Sequence, residues 1–368
     1  RFGEGRQIKK CRSFFQSAGG FPPVLSGRKK IMALQTELKP EDWRFCVAPM
    51  IDWTDEWCRH FHRLLSKRAR LYTEMIASPA LVHGNRARLL GDEKGVNPVA
   101  LQLGGSNPAE LAQCAKWGEE AGFDEINLNC GCPSPRVQSG DFGVVLMLSP
   151  QKVADCLKAM QDSVSVPVTV KHRIGVDDQT SYGFVRDFVG TVHEAGTRVF
   201  IVHARAAWLK GLSPKENRDI PPLNRELAAQ LKADFPDSIF VVNGGIKTLS
   251  ECQTELGRFD GVMLGREAYN NPWLLTEVDH ALYGDPESTL TRDEVVEQMA
   301  DYVDLVQERE PLAARTAVNH LMGLALGLPG ARHWRRLLTD PALWKTKKAG
   351  EIVRLAWKEV KPEAGMED

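Results

Sequence analysis

Two cysteines stand two positions apart in the stretch NLNCGCPS, residues 127–134, directly after an apolar segment that predicts a strand. Four roles are open to such a pair: a disulfide, a metal site, packed core sulfurs or a reactive thiol. A disulfide between Cys130 and Cys132 would close a ring too tight to be relaxed. A zinc site needs about four nitrogen or sulfur ligands, and no second Cys or His pair stands at ligand spacing nearby.

The surroundings of the two cysteines differ. Cys130 belongs to the apolar segment, where we expect a packed sulfur, the usual state of a free cysteine. Cys132 falls beyond that segment, between Gly131 and Pro133, where the backbone is fixed and the thiol is offered at the strand end. A thiol with an ordinary pKa of ~8.5 keeps its proton at neutral pH and can donate it as a general acid. Position alone leaves a catalytic and a structural role both open.

Two further polar groups, Lys171 and His203, lie inside otherwise apolar segments. An unpaired charge is costly to bury, so Lys171 needs a partner. The N1/O2 edge of a flavin, which is negative when reduced, would provide one. A lone His203 is most simply a core histidine bonded to a carbonyl, but beside Lys171 and Gln102 it indicates the polar fringe of a cofactor.

Glycines follow two later apolar segments. Gly244 and Gly245, after Asn243, would let backbone N–H groups approach an anion. Gly265 and Arg266 would form a second turn, which carries the positively charged guanidinium of Arg266. The Asn-Gly-Gly sequence by itself is equally consistent with a tight turn. Because Gly-Arg follows at the next segment, the two turns together favour a phosphate site.

Eight short apolar segments must position these groups: 44–50, 70–75, 98–105, 125–133, 167–175, 198–205, 239–246 and 260–266. Continuous apolar runs followed by helix-like sequence indicate strands buried on both faces of a parallel sheet. Eight such units predict a (β/α)8 TIM barrel, which usually takes ~250 residues and carries its reactive groups at the carboxyl ends of the strands. The fourth strand would then offer Asn127, Asn129 and Cys132 at the mouth. A doubly wound open sheet is the alternative, but the GxGxxG fingerprint typical of it is absent.

Composition divides the chain into four parts. These are an N-terminal extension over 1–41, the barrel over 42–285, a C-terminal all-helical domain over 286–360 and a tail over 361–368. Over residues 1–31, eight bases stand against the single acid Glu4, without the apolar core of a secretory signal. We expect either a disordered or over-extended N-terminus, with Met32 as a plausible start, or an organelle transit peptide.

The helical domain has an unusual charge pattern. Over residues 311–350, seven bases stand against one acid, Asp340, and the stretch ARHWRRLL places Trp334 among them. A solvated helix face and a polyanion-binding surface are both consistent with this imbalance.

Overall composition narrows the functional classes. The 368 residues are 43% hydrophobic and 26% charged, as in ordinary globular proteins. No apolar run reaches the ~18 residues that span a bilayer, and a net charge of −1 means that nucleic-acid binding requires a local patch. The eight scattered cysteines favour free thiols in a reducing compartment. We expect no membrane partner and no metal.

The strand-end motifs, taken together and in order, resemble the tRNA-dihydrouridine synthases over roughly residues 45–338. The stretches that carry the resemblance are VAPMIDWTD, YTEM, ALQLGG, EINLNCGCPS, VTVKHRIG, HAR, NGGI and DGVMLGREAY. The segment HARAAWLKGLSPKENRDIPPL, residues 203–223, is similar to the A subfamily, which reduces D-loop uridines near position 20 of tRNA. Cys130 and Val144 stand where the family often has Val and Ala. These two differences concern packing and not activity.

The resemblance implies FMN at the barrel mouth and NADPH as the reductant. The flavin ring would lie against Pro49 and Met50, next to Ala48. Its polar edge would face Gln102, Lys171 and His203. Its phosphate would be held by Asn243, Gly244, Gly245, Gly265 and Arg266. A uridine flipped out of the tRNA would receive a hydride at C6 from flavin N5 and a proton at C5 from Cys132.

The partner that the resemblance implies is tRNA, recognised through its D-loop. Asn129 would orient the flipped base. The tRNA backbone would be bound by Lys215, Arg218, Arg332 and Arg335. We expect a cytoplasmic monomer, or an organellar protein if residues 1–31 are a transit peptide.

Two other functions remain open. A flavoenzyme of the same fold could reduce a free pyrimidine or an enone, but it would have no use for a basic helical domain. An RNA-binding protein without chemistry would need that domain, but it would bind no flavin and would be colourless.

Overall fold

Parallel strands close into a barrel in the computed structural model, which describes residues 38–91 and 95–360. The strands are Phe45–Val47 (β1), Leu71–Tyr72 (β2), Ile76–Ala77 (β3), Val99–Gly104 (β4), Glu125–Cys130 (β5), Val168–Arg173 (β6), Val199–His203 (β7), Ile239–Asn243 (β8) and Gly261–Leu264 (β9). Their order is β1-β9-β8-β7-β6-β5-β4-β2, and β3 also pairs with β4. The ring closes where Val47 N donates to Arg70 O at 2.9 Å and Arg70 N donates to Phe45 O at 3.0 Å.

Alternation along each strand decides which side chains enter the barrel. In β5, Leu128 and Cys130 belong to the large apolar core outside the barrel wall, whereas Asn127 and Asn129 hydrogen-bond to side chains of neighbouring strands inside it. A smaller apolar cluster fills the rest of the interior, and its members include Cys46, Ile201, Val241 and Met263. The interior is therefore polar beside β5 and apolar beside β7 to β9.

Helices follow the strands and cover the barrel. They are Glu56–Leu65 (α1), Ser78–His83 (α2), Arg86–Leu90 (α3), Pro108–Glu120 (α4), Pro135–Ser139 (α5), Pro150–Gln161 (α6), Tyr182–Glu194 (α7), Arg225–Asp234 (α8) and Leu249–Leu256 (α9). Asn107 caps α4 by accepting from Ala109 N and Glu110 N. Thr248 and Glu251 form a capping box at the start of α9.

A helical region follows the last strand. Its α-helices are Arg266–Asn270 (α10), Val278–Tyr283 (α11), Arg292–Arg309 (α12), Ala313–Asn319 (α13), Ala331–Leu338 (α14), Leu343–Thr346 (α15) and Ala349–Trp357 (α16). Val295, Met299 and Val303 recur at helical spacing on α12 and are buried. The region contacts the barrel where His320 Nε2 pairs with Asp55 Oδ2 at 2.9 Å.

The predicted (β/α)8 barrel with a helical C-terminal region is confirmed, and each of the eight predicted segments contains a strand. The short strand β3 was not predicted, because two partly exposed residues give too little pattern. The domain borders at 42, 286 and 361 stay predictions. The expectations for residues 1–31 and for the tail lie outside the described residues. Within the described ranges, no helix combines the length and the apolar character needed to cross a membrane.

Candidate active site

A cavity of ≈ 2060 Å³ opens at the carboxyl ends of the strands. Its wall continues from the strand ends to α12, where Tyr302, Leu305 and Arg309 line it. Pockets for small molecules measure roughly 300–1,000 Å³, so this cavity has room for more than one small ligand.

Cys132 lies in the wall of this cavity, on the loop after β5. Its backbone N–H donates to Asn129 Oδ1 at 3.0 Å, and its carbonyl accepts from Val144 N at 3.0 Å. Gly143 allows the second contact, because its φ is +75° and a Cβ there would stand 2.6 Å from the Cys132 oxygen. The thiol is thus carried by a backbone that is hydrogen-bonded on both sides of the peptide.

The other cysteines within residues 38–91 and 95–360 are buried. Cys130 is buried in the core outside the barrel wall, and burial raises the pKa of its thiol. The prediction of a packed Cys130 sulfur is confirmed. Among the cysteines that the structure describes, Cys132 is the one that is not buried. No three His, Cys, Asp or Glu side chains within residues 38–91 and 95–360 are grouped so that they could hold a metal ion.

Lys171 lines the cavity from β6 and donates from Nζ to Asn243 Oδ1 at 3.1 Å. Asn243 in turn donates from Nδ2 to Met263 O at 2.7 Å, which sets the orientation of its amide. Burial, with a smaller effect of the neighbouring Arg173, lowers the pKa of Lys171 to about 7. An ammonium has three donors and Asn243 takes one of them, so Lys171 can also serve a ligand.

His203 ends β7 and lines the same cavity. Burial, followed by the positive charges of Arg173 and Lys171, lowers the pKa of His203 well below its usual value. The imidazole is therefore neutral at pH 7, with one nitrogen that donates and one that accepts.

The chain turns at Gly244 and Gly245, directly after β8, with φ values of +121° and +72°. A Cβ on Gly244 would stand 2.9 Å from Leu223 Cδ2 and 3.0 Å from His203 Cδ2, and one on Gly245 would stand 2.7 Å from Leu223 Cδ1. Both the backbone conformation and the space require glycine, as at sites where the main chain approaches a ligand.

The ends of β1 and β9 meet beside this turn. Ala48 N donates to Leu264 O at 2.7 Å. A Cβ on Gly265 would contact Ala48 Cβ and Met50 Sδ, both at 3.6 Å. Ala48, Met50 and Gly265 therefore form one edge of the cavity.

Arg266 has a partner that the sequence did not predict. Its guanidinium donates from Nη1 to Asp219 Oδ2 at 3.0 Å and from Nη2 to Asp219 Oδ1 at 2.5 Å, and this bonding lowers the pKa of Asp219. Arg205 also lines the cavity, and its buried Nε has no hydrogen-bond partner within the described residues. A buried cationic donor without an acceptor is what an anion site would present.

The structure gathers around this one cavity all but three of the residues predicted to act as the acid, to hold FMN or to bind tRNA. Those in its wall are Ala48, Pro49, Met50, Gln102, Asn129, Cys132, Lys171, His203, Arg218, Asn243, Gly244, Gly245, Gly265 and Arg266. Lys215, Arg332 and Arg335 are exposed and do not line it. The role of each residue stays a prediction.

The structure corrects the expected position of Asn127 and shows where Trp334 lies. Asn127 does not reach the mouth: it is fully buried inside the barrel, because it lies two residues, or about 6.6 Å, behind Asn129 along the strand. Trp334 does not belong to a charged surface: it is fully buried, and its Nε1 donates to Leu321 O at 3.1 Å.

The cavity wall also contains aromatic side chains that the sequence patterns did not identify. Trp53, in the loop after β1, stacks on Tyr269 with ring centroids 4.3 Å apart. Tyr302 of α12 stacks on His60 of α1 at 3.7 Å. The place of Trp53 in a βα loop is a signal that could have found it, whereas tertiary packing alone brings Tyr302 to the cavity.

The closed barrel and its lined mouth define the class of (β/α)8-barrel enzymes, whose sites lie at this end of the strands. Residues 46–358 match the family model described as Dihydrouridine synthase (Dus). The chain belongs to the dihydrouridine synthase family and is therefore an oxidoreductase. The family and the enzyme class expected from the sequence are confirmed.

Proteins from several bacteria are similar to this chain over most of their length, and those from Pseudomonas putida, Escherichia coli K12 and Vibrio parahaemolyticus are named tRNA-dihydrouridine(20/20a) synthase. The protein from Pseudomonas putida is 55% identical over 314 residues, which are 84% of this chain and 93% of that protein. The protein from Escherichia coli K12 is 53% identical over 319 residues, 84% of this chain and 91% of that protein. The protein from Vibrio parahaemolyticus is 52% identical over 300 residues, 81% and 91% of the two chains.

Proposed function

We propose that this chain reduces D-loop uridine at positions 20 and 20a of tRNA to 5,6-dihydrouridine, with FMN as cofactor and NADPH as reductant. The name shared by the similar bacterial proteins supports the substrate. One observation about the chain carries the chemistry: the accessible Cys132 lies in the wall of the same cavity as Lys171, His203 and the glycine turn.

Three features of the mouth fit FMN. The turn at Gly244 and Gly245 carries no side chains, so its main chain can approach a phosphate. The unpaired Nε of Arg205 offers a donor to an anion, and Lys171 has donors left for the polar edge of a flavin ring. When bound, FMN would supply the hydride that uracil C6 receives, and NADPH would reduce the FMN.

The side chains of the mouth would then divide the remaining tasks. Cys132 would hold a proton on Sγ and donate it to uracil C5, as a general acid does. Lys171 would place positive charge at the flavin edge, and the neutral His203 would donate a hydrogen bond there. Asn129 would orient the base with the amide hydrogen that its bond to Gln102 leaves free.

A flipped base is required because the reactive groups lie at the barrel mouth rather than on an outer surface. The cavity continues from the strand ends to α12, which gives the nucleotides next to that base a place between barrel and helices. Arg218 in the cavity wall and the exposed Lys215, Arg332 and Arg335 would neutralise backbone phosphates.

The test is a reaction of the purified protein with FMN, NADPH and an unmodified tRNA transcript, in which dihydrouridine is mapped by mass spectrometry of nuclease fragments. We expect dihydrouridine at positions 20 and 20a and none elsewhere. Free uridine and a transcript with cytidine at both positions are the controls. Reduction of free uridine at a comparable rate, or no reduction of tRNA by a protein that carries flavin, would contradict the proposal.

A further inference from the structure

Glu125, at the start of β5, lies at the bottom of the barrel interior and is fully buried. Its Oε2 accepts from Trp43 Nε1 at 2.7 Å and from Arg70 Nη1 at 3.3 Å. Its Oε1 accepts from Tyr72 OH at 2.8 Å and from Thr169 Oγ1 at 2.5 Å. Four donors thus converge on one carboxylate, and Arg70 balances its charge.

A series of hydrogen bonds leads from this carboxylate to the cavity. Thr169 Oγ1 accepts from Asn127 Nδ2 at 2.7 Å, and Asn127 Oδ1 accepts from Gln102 Nε2 at 2.8 Å. Gln102 Oε1 accepts from Asn129 Nδ2 at 2.8 Å, and Asn129 Oδ1 accepts from the N–H of Cys132 at 3.0 Å. We call this series the amide relay.

Both ends of the amide relay fix its direction. Because the carboxylate of Glu125 only accepts, the single proton of Thr169 points toward it, and the Thr169 oxygen must then accept from an amide nitrogen. At the other end, the main-chain N–H groups of Gly131 and Cys132 only donate, so Asn129 must present its oxygen to them. The three amides satisfy both ends in one orientation.

We propose that Glu125 is a positioning residue for the Cys132 loop: through the amide relay, its charge keeps the Asn129 oxygen directed at the loop backbone. Glu125 touches neither the cavity nor the loop. The inference rests on the proposed function only for what Cys132 does once it is held.

The substitution Glu125→Gln keeps the shape of the side chain and reverses the relay. The glutamine oxygen must serve Trp43 and Arg70, so its NH2 group faces Thr169, whose own proton then turns toward Asn127. To accept that proton, all three amides must flip, and Asn129 would present its NH2 group to the N–H of Cys132. An unflipped relay would instead leave the Thr169 proton without an acceptor, because the Thr169 oxygen would accept from both amide nitrogens. In either case the cost comes from mismatched hydrogen-bond donors and acceptors and not from a change of side-chain size.

The test measures hydrogen exchange of the Gly131 and Cys132 amides, and alkylation of Cys132 by iodoacetamide, in the purified full-length protein. We expect Glu125→Gln to speed exchange of these two amides roughly tenfold, the loss of about one net hydrogen bond. The rate at which iodoacetamide alkylates Cys132, measured by peptide mass spectrometry, should change as well. Neither readout requires turnover, so a protein that fails to reduce tRNA would contradict the proposed function without deciding this test.

Two further variants separate the relay from general destabilisation. Tyr72→Phe removes a donor from the same carboxylate oxygen but lies outside the relay, and it should leave both readouts within about twofold of the native protein. Thr169→Val interrupts the relay, so adding it to Glu125→Gln should return exchange at Cys132 toward the native rate.

Equal acceleration by Tyr72→Phe and Glu125→Gln, or no recovery in the double variant, would overturn the proposal. If Glu125→Gln does not fold, neutron diffraction of the native protein decides the matter. A deuteron of Thr169 directed at Glu125 is the expected result, and one directed at Asn127 would overturn the proposal.

Discussion

The barrel mouth and helix α14 both contain positively charged side chains, but the environments of these side chains differ. At the mouth, the buried guanidinium of Arg173 donates to the carbonyls of Gly131 and Asn217 at 3.0 and 2.8 Å. Lys171 donates from Nζ to Asn243 Oδ1. On α14, Arg332 and Arg335 are exposed, and the tryptophan between them faces the core.

The difference separates two uses of charge. A buried cation must have defined partners, because its desolvation is costly, so its position and pKa are set by the fold. An exposed cation is worth little in any one contact and acts through the summed potential of its surface, which salt weakens. Chemistry should therefore depend on single residues at the mouth, and affinity for RNA should depend on the number of charges on α14.

The strongest test of this contrast is Cys132→Ala. Loss of a general acid costs about 10²- to 10⁴-fold in rate, so we expect dihydrouridine formation to fall in that range while FMN and tRNA binding are retained. Single-turnover assays with the flavin reduced in advance measure the chemical step directly.

The matched control is Cys130→Ala, which removes a thiol two residues away that is buried outside the barrel wall. It should keep the rate within about twofold and lower the free energy of unfolding by about 1 kcal/mol. Full activity of Cys132→Ala would remove Cys132 as the acid.

An intermediate effect is expected from the pH dependence of FMN binding. Lys171 has a pKa of about 7 in the folded protein and is therefore protonated below and neutral above that value. If the cofactor needs the ammonium, its affinity should fall by up to about tenfold per pH unit above 7, because each binding event then takes up a proton. Titration of the apo protein with FMN, followed by flavin fluorescence between pH 6 and 9, measures this slope.

Lys171→Met should bind FMN more weakly and lose that slope. Stability of the apo protein should change in the other direction with pH: the folded pKa of Lys171 lies below its unfolded value of ~10.4, so this residue destabilises the apo protein below pH 7 and does so less as the pH rises toward 10. The same slope in both proteins would show that another group titrates.

The smallest effect is expected on α14. Replacing Arg332 and Arg335 by Ala should weaken tRNA binding several-fold at moderate salt and reduce the slope of log affinity against log salt by about 1 for each phosphate that is no longer neutralised. The rate of the chemical step at saturating tRNA should not change. Filter binding over a series of salt concentrations measures the slope.

The exposed Lys116 on α4, on the outside of the barrel, provides the control. Lys116→Ala should leave the slope unaltered. An unaltered slope in the double variant of α14 would instead place the RNA surface elsewhere, for example at Arg218 in the cavity wall.

Much of the architecture could be predicted because its causes are local. A strand buried on both faces needs a continuous apolar run, and a helix start needs a capping side chain, so both are visible in a few neighbouring residues. The mouth residues followed from the same logic, since polar groups at the ends of apolar runs must meet at one end of a parallel barrel. Strand β3 was not predicted, because two residues are too few to show an alternating pattern.

The sequence by itself therefore determined the barrel, the residues at its mouth and the membership of Cys132 in that group. Tertiary structure alone decided the burial of Trp334, the pairing of Arg266 with Asp219 and the four donors around Glu125. The physical reason is that these contacts join positions far apart in the chain, such as Trp43 and Glu125, which are 82 residues apart. These contacts form only after strand register and barrel closure have brought those positions together. Neither the register nor the closure can be predicted from a short stretch of residues.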